Sequence, residues 1–289
     1  ITSSHINKAP VGRNIQLAAK ERNTGKILGF IRLGSPVIYM RPRNELLGQV
    51  FSQNPDTTQR FNDASMMGFV IVPSQPFGFN YLGGKLMAAI CTSHEVREIC
   101  NQKYPGMNLC LFETTSLYGS TKGVSQYDGM KPFIRYKGLT ESDFLPMMHG
   151  KPYENLRNFV ESKVGKIVDD NISSRKLKIS MKIISLTKSA LKGEPELASF
   201  NETIHNAKKL TEQKRYYISD YGFKNMVDYV NCKTDTLIPG ENYEKHYLAN
   251  IIEWWRNKAT NRYESLQSEG RLRTELEVWT SGKDIQIIR

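Results

Sequence analysis

Met66-Met67-Gly68-Phe69-Val70-Ile71-Val72-Pro73, then Ser74-Gln75-Pro76-Phe77-Gly78-Phe79-Asn80 and Tyr81-Leu82-Gly83-Gly84-Lys85, is the stretch on which the reading of this chain turns. The first run is apolar apart from Gly68, ends β-branched and is halted by Pro73, as a buried central strand should be. Beyond the loop, Leu82, Leu86, Ala89, Ile90 and Val96 recur close to helical spacing. With Pro105-Gly106 as a stop, one long helix is predicted over 80–104. A strand feeding a helix through a Gly-containing loop aims free backbone N–H groups and the positive end of the helix dipole at one point, where a phosphate fits. The same residues also read as a plain helix start capped by Asn80.

Upstream, Asn14–Arg22 and Lys26–Leu33 flank Asn23-Thr24-Gly25, whose Asn and Gly tolerate the backbone of a tight hairpin. Downstream, Asn108–Glu113 reads as a strand, Thr114–Gln126 as a Gly/Ser-rich loop and Pro132–Lys137 as a third core strand. The expectation for residues 1–150 is therefore an α+β domain, a mixed sheet with a packed helix. From about Lys151 the composition shifts to Lys, Asn and Ser, giving a basic, mostly helical region over 151–289. Within it, Lys176–Ile183 fits both period 2 and a helix and is read as helix. Leu197–Arg215 and Asn242–Gln267 are helical, and Glu275–Thr280 is strand-like.

The 289 residues carry 39% hydrophobic and 24% charged side chains, an ordinary globular mixture that excludes wholesale disorder. No apolar run approaches the roughly 20 residues needed to cross a bilayer, so no membrane partner is expected. Ile1–Lys8 has no apolar core of a secretory signal and no Met, which reads as a trimmed chain. Forty Lys and Arg against 29 Asp and Glu give a net charge of +11. That favours a polyanion, nucleic acid before acidic membrane. Residues 151–192 hold ten Lys/Arg against four acids, making Lys176, Lys178 and Lys182 the first choice for phosphate contacts. A second candidate is the helix with Trp254, Trp255, Arg256, Lys258 and Arg262, because bases stack on rings while cations track phosphates. Adjacent Trp residues point about 100° apart on a helix, so core packing of one of them explains the pattern too. The four cysteines form no C-x-x-C pair, and no His shares local spacing with acids or cysteines. No metal site is assigned, and a reduced, cytoplasmic setting is expected.

Gln75, with Gly78 three residues on and Asn80 two further, resembles the acyl-CoA pyrophosphate loop of the GCN5-related N-acyltransferase superfamily, although Asn80 stands where that pattern has Gly or Ala. The resemblance implies an acyl-CoA-like donor on Gln75, Gly78, Asn80 and Gly83. Gly12-Arg13-Asn14, Leu47-Gly48, Arg60-Phe61, the 80–104 helix, Glu113-Thr114, Tyr127 and Gly138-x-Thr140 resemble the DruA-type domain of Druantia anti-phage systems. Tyr104-Pro105, Leu109–Phe112, Gly119–Gly123 and Tyr127–Phe133 are similar, more distantly, to the phage Mom DNA-modification proteins. These resemblances, over residues 10–140, imply an acyltransferase-like fold and work on or around DNA, before RNA, in a bacterial host cell. Mom-type proteins convert adenine in DNA to a carbamoylmethyl derivative.

Such an amine acceptor needs a general base. Glu113 at a strand end is the candidate, with Tyr127 as acid or positioner and Asp128 as second choice. Glu113 and Tyr127 should then face one cleft with Gly78, with the N–H groups of 78–82 open to a pocket. The same residues also read as a salt-bridged Glu and a packed Tyr. Two functions are consistent with these readings: a DruA- or Mom-like protein that modifies or binds DNA, or a non-catalytic nucleic-acid-binding or phage assembly protein on a degenerate acyltransferase-like fold.

Overall fold

The computed structural model describes residues 12–51, 53–116, 125–140, 150–167, 176–209 and 214–275. The chain is α+β, built on a six-stranded mixed sheet in the order β1-β2-β3-β4-β6-β5. The predicted hairpin forms as β1 (Asn14–Lys20) against β2 (Ile27–Gly34), and its turn is closed by the Glu21 carboxylate, which accepts from the backbone N–H of Asn23 at 2.9 Å and of Thr24 at 2.6 Å. Next come two helices that the sequence reading did not contain: α1 (Arg41–Leu47), with a Pro in its first turn, and α2 (Pro55–Ala64), capped by the Asn54 side chain. Then β3 (Ser65–Pro73) enters the middle of the sheet as the quoted stretch requires.

The predicted long helix is three. α3 (Phe77–Asn80) stops at Leu82, which takes a left-handed φ of 54°; α4 (Gly83–Ile90) and α5 (His94–Lys103) are separated by Ser93, whose side chain caps α5. The first break is a packing effect. A Cβ at Gly83 would lie 2.5 Å from the Phe77 ring, so this glycine lets α4 turn against α3. After α5 the chain returns as β4 (Leu111–Ser116), parallel to β3, and β5 (Arg135–Leu139), which is an edge strand and not a core one.

Residues 141–213 form a separate compact unit of helices: α6 (Gly150–Val164), α7 (Lys176–Ala190) and α8 (Glu196–Lys209). Val160, Ile183, Ile184 and Ile204 are among their buried residues. The helical reading of Lys176–Ile183 agrees with α7. Beside the expected boundary near residue 150, the contacts group 214–289 with 1–140 in one unit. The cause is β6 (Arg215–Ser219), which inserts antiparallel between β4 and β5. Its buried Tyr216-Tyr217-Ile218 core lies just past the expected helix end at Arg215. α9 (Met226–Val230), a 3-10 turn at Glu244–His246 and α10 (Leu248–Ser268) complete the unit. The strand expected over 275–280 lies outside the described residues apart from Glu275.

α4 and α5 cover one face of the sheet and α1 and α2 part of the other, where Phe51 and Phe61 stack at 4.4 Å. The 3-10 turn is tied to the start of α5 by two imidazoles. His246 Nδ1 donates to the Thr92 carbonyl at 2.7 Å and His94 Nε2 to that of Tyr243 at 2.9 Å, while His246 Nε2 and His94 Nδ1 are buried without partners. Burial, partly offset by the Thr92 bond, pushes the His246 imidazolium down to about 4. The unfolded chain, at about 6.5, then takes up this proton first, so the stability His246 contributes is present above about pH 6.5 and is lost as pH falls towards 4, by roughly 3 kcal/mol. Urea unfolding at about pH 7 and 4.5 should show a shallower acid loss for His246→Asn than for the unmodified chain; equal acid losses would remove His246 as the cause.

Candidate functional site

β3 and β4 pair only from Ser65↔Leu111 to Gly68↔Thr114, although β3 continues to Pro73 and β4 to Ser116. Past Gly68 the two parallel strands part, β3 keeping to β2 and β4 to β6. The Thr114 hydroxyl donates to the Gly68 carbonyl at 3.0 Å, at the fork. A gap at the carboxyl ends of parallel strands is the usual place for a ligand.

Glu113 does not reach this gap. It sits inside β4, fully buried, 3.1 Å from Arg43 of α1, and accepts from the Tyr216 hydroxyl at 2.7 Å. Arg43 is equally buried; its guanidinium also donates to the Val37 and Ile38 carbonyls and lies 4.3 Å from the Phe61 ring centre. Burial pushes the Glu113 carboxyl above the usual carboxylate range, with Arg43 and Tyr216 pulling it back. The opposed pairs Glu113↔Ile218 and Thr115↔Tyr216 put Glu113 on the α1/α2 face, whereas Thr114↔Tyr217 lies on the other. Tyr127 and Asp128 are on that other face. Tyr127 is buried and edge-on to Tyr217 at 5.2 Å. Asp128 accepts from Tyr217 at 2.9 Å and pairs with Arg215 at 3.1 Å. The expected shared cleft for Glu113 and Tyr127 is therefore corrected, because side chains of adjacent strand residues leave opposite faces.

Beside the gap, Lys85 of α4 donates its ammonium to the backbone carbonyls of Gln126 (3.0 Å) and Asp128, holding down the segment that carries Tyr127. A Cβ at Gly84 would lie 2.9 Å from Gln126 Oε1, so helix and segment touch closely. Burial, then the neighbouring Lys258 charge, push the Lys85 ammonium below its usual range.

The loop Gln75–Asn80 is internally bonded. The N–H groups of Gly78, Phe79, Asn80 and Tyr81 donate to the carbonyls of Ser74, Pro76, Pro76 and Phe77, so these four do not open onto an anion pocket. Gly78 packs on Gln75 and Pro73, and Gly83 on Phe77. Asn80 is no cap. Its buried side-chain amide donates to the Arg273 carbonyl at 2.8 Å and accepts from the Arg273 N–H at 3.0 Å. α10 lies along this loop, with Trp255 Nε1 donating to the Tyr81 carbonyl at 2.8 Å and Tyr263 stacked on Tyr81 at 5.1 Å. Both Trp254 and Trp255 are half-buried, Trp254 edge-on to Phe133 at 4.8 Å.

The cations are where charge is least compensated. Arg262 and Arg273 lie 5.0 and 4.1 Å from the Phe79 ring centre, Arg256 and Lys258 are exposed on α10, and none of the four has a carboxylate within ion-pair reach among the described residues. Lys182 is exposed on α7; the side chains of Lys176 and Lys178 lie outside the described residues. Sequence reasoning missed Arg43 and Tyr216, whose partners are far away in the chain; it included Lys85 and Arg273 in the runs after the loop and after the long helix, without the contacts that the fold gives them. Among the described residues no cluster of three or more His, Cys, Asp or Glu is gathered as a metal site, and no helix is long and apolar enough to cross a membrane.

Arg43→Ala should cost about 3–5 kcal/mol in urea unfolding, since it strands a buried carboxylate, and joint Arg43→Met/Glu113→Leu should recover most of that loss. A cost under about 1 kcal/mol for the single change would mean that the pair contributes little.

No curated protein and no solved structure matches this chain. Residues 5–126, a span that runs from before β1 to the residue preceding Tyr127, match the family model of Druantia protein DruA.

Proposed function

We propose that this protein is a DNA-associated factor of the phage-defence kind that binds nucleic acid without modifying it. The observation that carries this reading is the ledge made by α3 and α10, where Phe79 lies between the Arg262 and Arg273 guanidinium groups and exposed Arg256 and Lys258 continue the positive charge. Cations left without carboxylates gain by meeting phosphates, because each contact releases condensed counterions from the polyanion. Charge distribution points the same way. The 141–213 unit holds twelve Lys/Arg against ten Asp/Glu, so most of the excess of +11 belongs to the sheet unit.

A second reading, a Mom-like enzyme on an acyltransferase-like sheet, is supported by the parting of β3 from β4 and by Tyr127 and Asp128 beside that fork. Against it stand the buried, ion-paired Glu113, the Tyr127 segment tied to α4 by Lys85 and the internally bonded loop. An acyl-CoA-like donor on Gln75, Gly78, Asn80 and Gly83 would have to displace part of the chain. Calorimetry with acyl-CoA at millimolar concentration separates the two readings: heat of binding together with a modified nucleoside in treated DNA establishes the enzyme, and neither is expected.

For the binding reading, log K against log salt between about 50 and 200 mM should fall with a slope of about −0.9 per phosphate contact on duplex DNA. Arg256→Glu/Lys258→Glu should lower affinity and flatten that slope by one to two such contacts. Affinity independent of salt would overturn the reading, and a larger loss from Lys182→Glu would move the phosphate contacts to the 141–213 unit.

A further inference from the structure

We infer that Phe79 is a stacking seat for an unpaired base of single-stranded nucleic acid, and that the segment 272–275 is a strap that fills the seat while no strand is bound. The inference rests on the nucleic-acid reading of the ledge and names its ligand class. Bases in a duplex are already stacked on both faces and offer the ledge only phosphates, whereas a single strand presents a free π-face for an aromatic platform. Phe79 has such a platform's surroundings, half-exposed, beside the stacked Tyr81–Tyr263 pair and flanked by cations.

What covers the ring in the free protein is Arg273, a planar cation 4.1 Å from its centre, which occupies the place a base would take. Its hold is modest. Two neutral hydrogen bonds to the Asn80 side chain fix its backbone, no carboxylate pairs with its guanidinium among the described residues, and its Nη2 is buried there with no hydrogen-bond partner. An unsatisfied buried donor is a cost that leaving the ring removes. The strap also has a hinge. α10 ends at Ser268; Gly270 then takes a left-handed φ of 65° with open space around its Cα, and the Arg271 N–H donates back to the Leu266 carbonyl at 2.8 Å, so the helix terminates independently of residues 272–275. Rotation beyond the Gly270–Arg271 cap can lift 272–275 while leaving α10 and its exposed cations in place. Arg273, once freed, meets the phosphates of the strand that replaced it.

The Asn80 amide is therefore the latch. Two net hydrogen bonds are worth on the order of tenfold in an equilibrium constant, which sets the expected size of the effect. Fluorescence anisotropy with a labelled oligo(dT) and a labelled duplex should show Asn80→Ala binding the single strand about tenfold more tightly with duplex affinity unchanged. Adding Phe79→Ala should cancel that gain. Because Asn80 is buried and its loss can disturb α3, a second measurement uses the unaltered protein. Hydrogen exchange at the Arg273 amide, protected by Asn80 Oδ1, should accelerate when oligo(dT) is added and stay slow with duplex. If both nucleic acids bind and the Arg273 amide stays protected, the strap is overturned while the ledge stands. If neither binds, both fall.

Discussion

The buried ion pair between Arg43 and Glu113 is the constraint that the central sheet is built around. A guanidinium and a carboxyl, both withdrawn from water, keep each other while Tyr216 and the Val37 and Ile38 carbonyls take up most of their remaining hydrogen bonding, Arg43 Nε alone finding no partner among the described residues. The pair therefore fixes three things at once: α1 against the sheet, the turn of chain before α1, and β6 beside β4. Phe51 and Phe61 pack around the guanidinium and keep water from it. Glu113 thus holds the sheet together from the α1/α2 face, away from Tyr127 and Asp128.

The opposite face carries the polar groups that the pair excludes. Tyr127, Asp128, Arg215 and Tyr217 collect where β3 and β4 diverge, and Lys85 of α4 ties the segment between β4 and β5 down by its backbone carbonyls. The sheet has the opening that its topology dictates, and the Tyr127 segment is tied down beside it. The loop after β3 and the helix that lies over it stand on the outside of this scaffold. Aromatic rings and unpaired cations meet there because α10 crosses residues almost two hundred positions earlier.

A run of lysines in a sequence is a poor guide to where a protein is positive. Residues 151–192 carry the densest local excess, yet the acids on either side of that run nearly balance the 141–213 unit. The α10 cations are fewer and count for more, since they lack carboxylate partners among the described residues, and Arg262 shares one aromatic ring with Arg273. Charge acts through space over about 10 Å at ordinary salt, so compensation by neighbours in the fold, not in the sequence, sets the field.

Local signals were sufficient for whatever local physics controls. The Asn-Thr-Gly turn fixed the β1–β2 hairpin, the apolar run before Pro73 fixed β3, and the α+β class came from their order with the helical segment between two strands. The same signals could not tell that the 80–104 segment breaks twice, since those breaks come from a ring packed on Gly83 and from the Ser93 cap. Nor could they show that Arg215–Ser219 is a strand, because a short Tyr-Tyr-Ile core is helical or extended according to the partners it finds, and β4 and β5 are roughly a hundred residues away. Tertiary structure alone decided that Glu113 is buried and Tyr127 lies on the other face. The sequence named the residues, but a strand's two faces are told apart only when something packs on each, and here Arg43 and Lys85 made that choice.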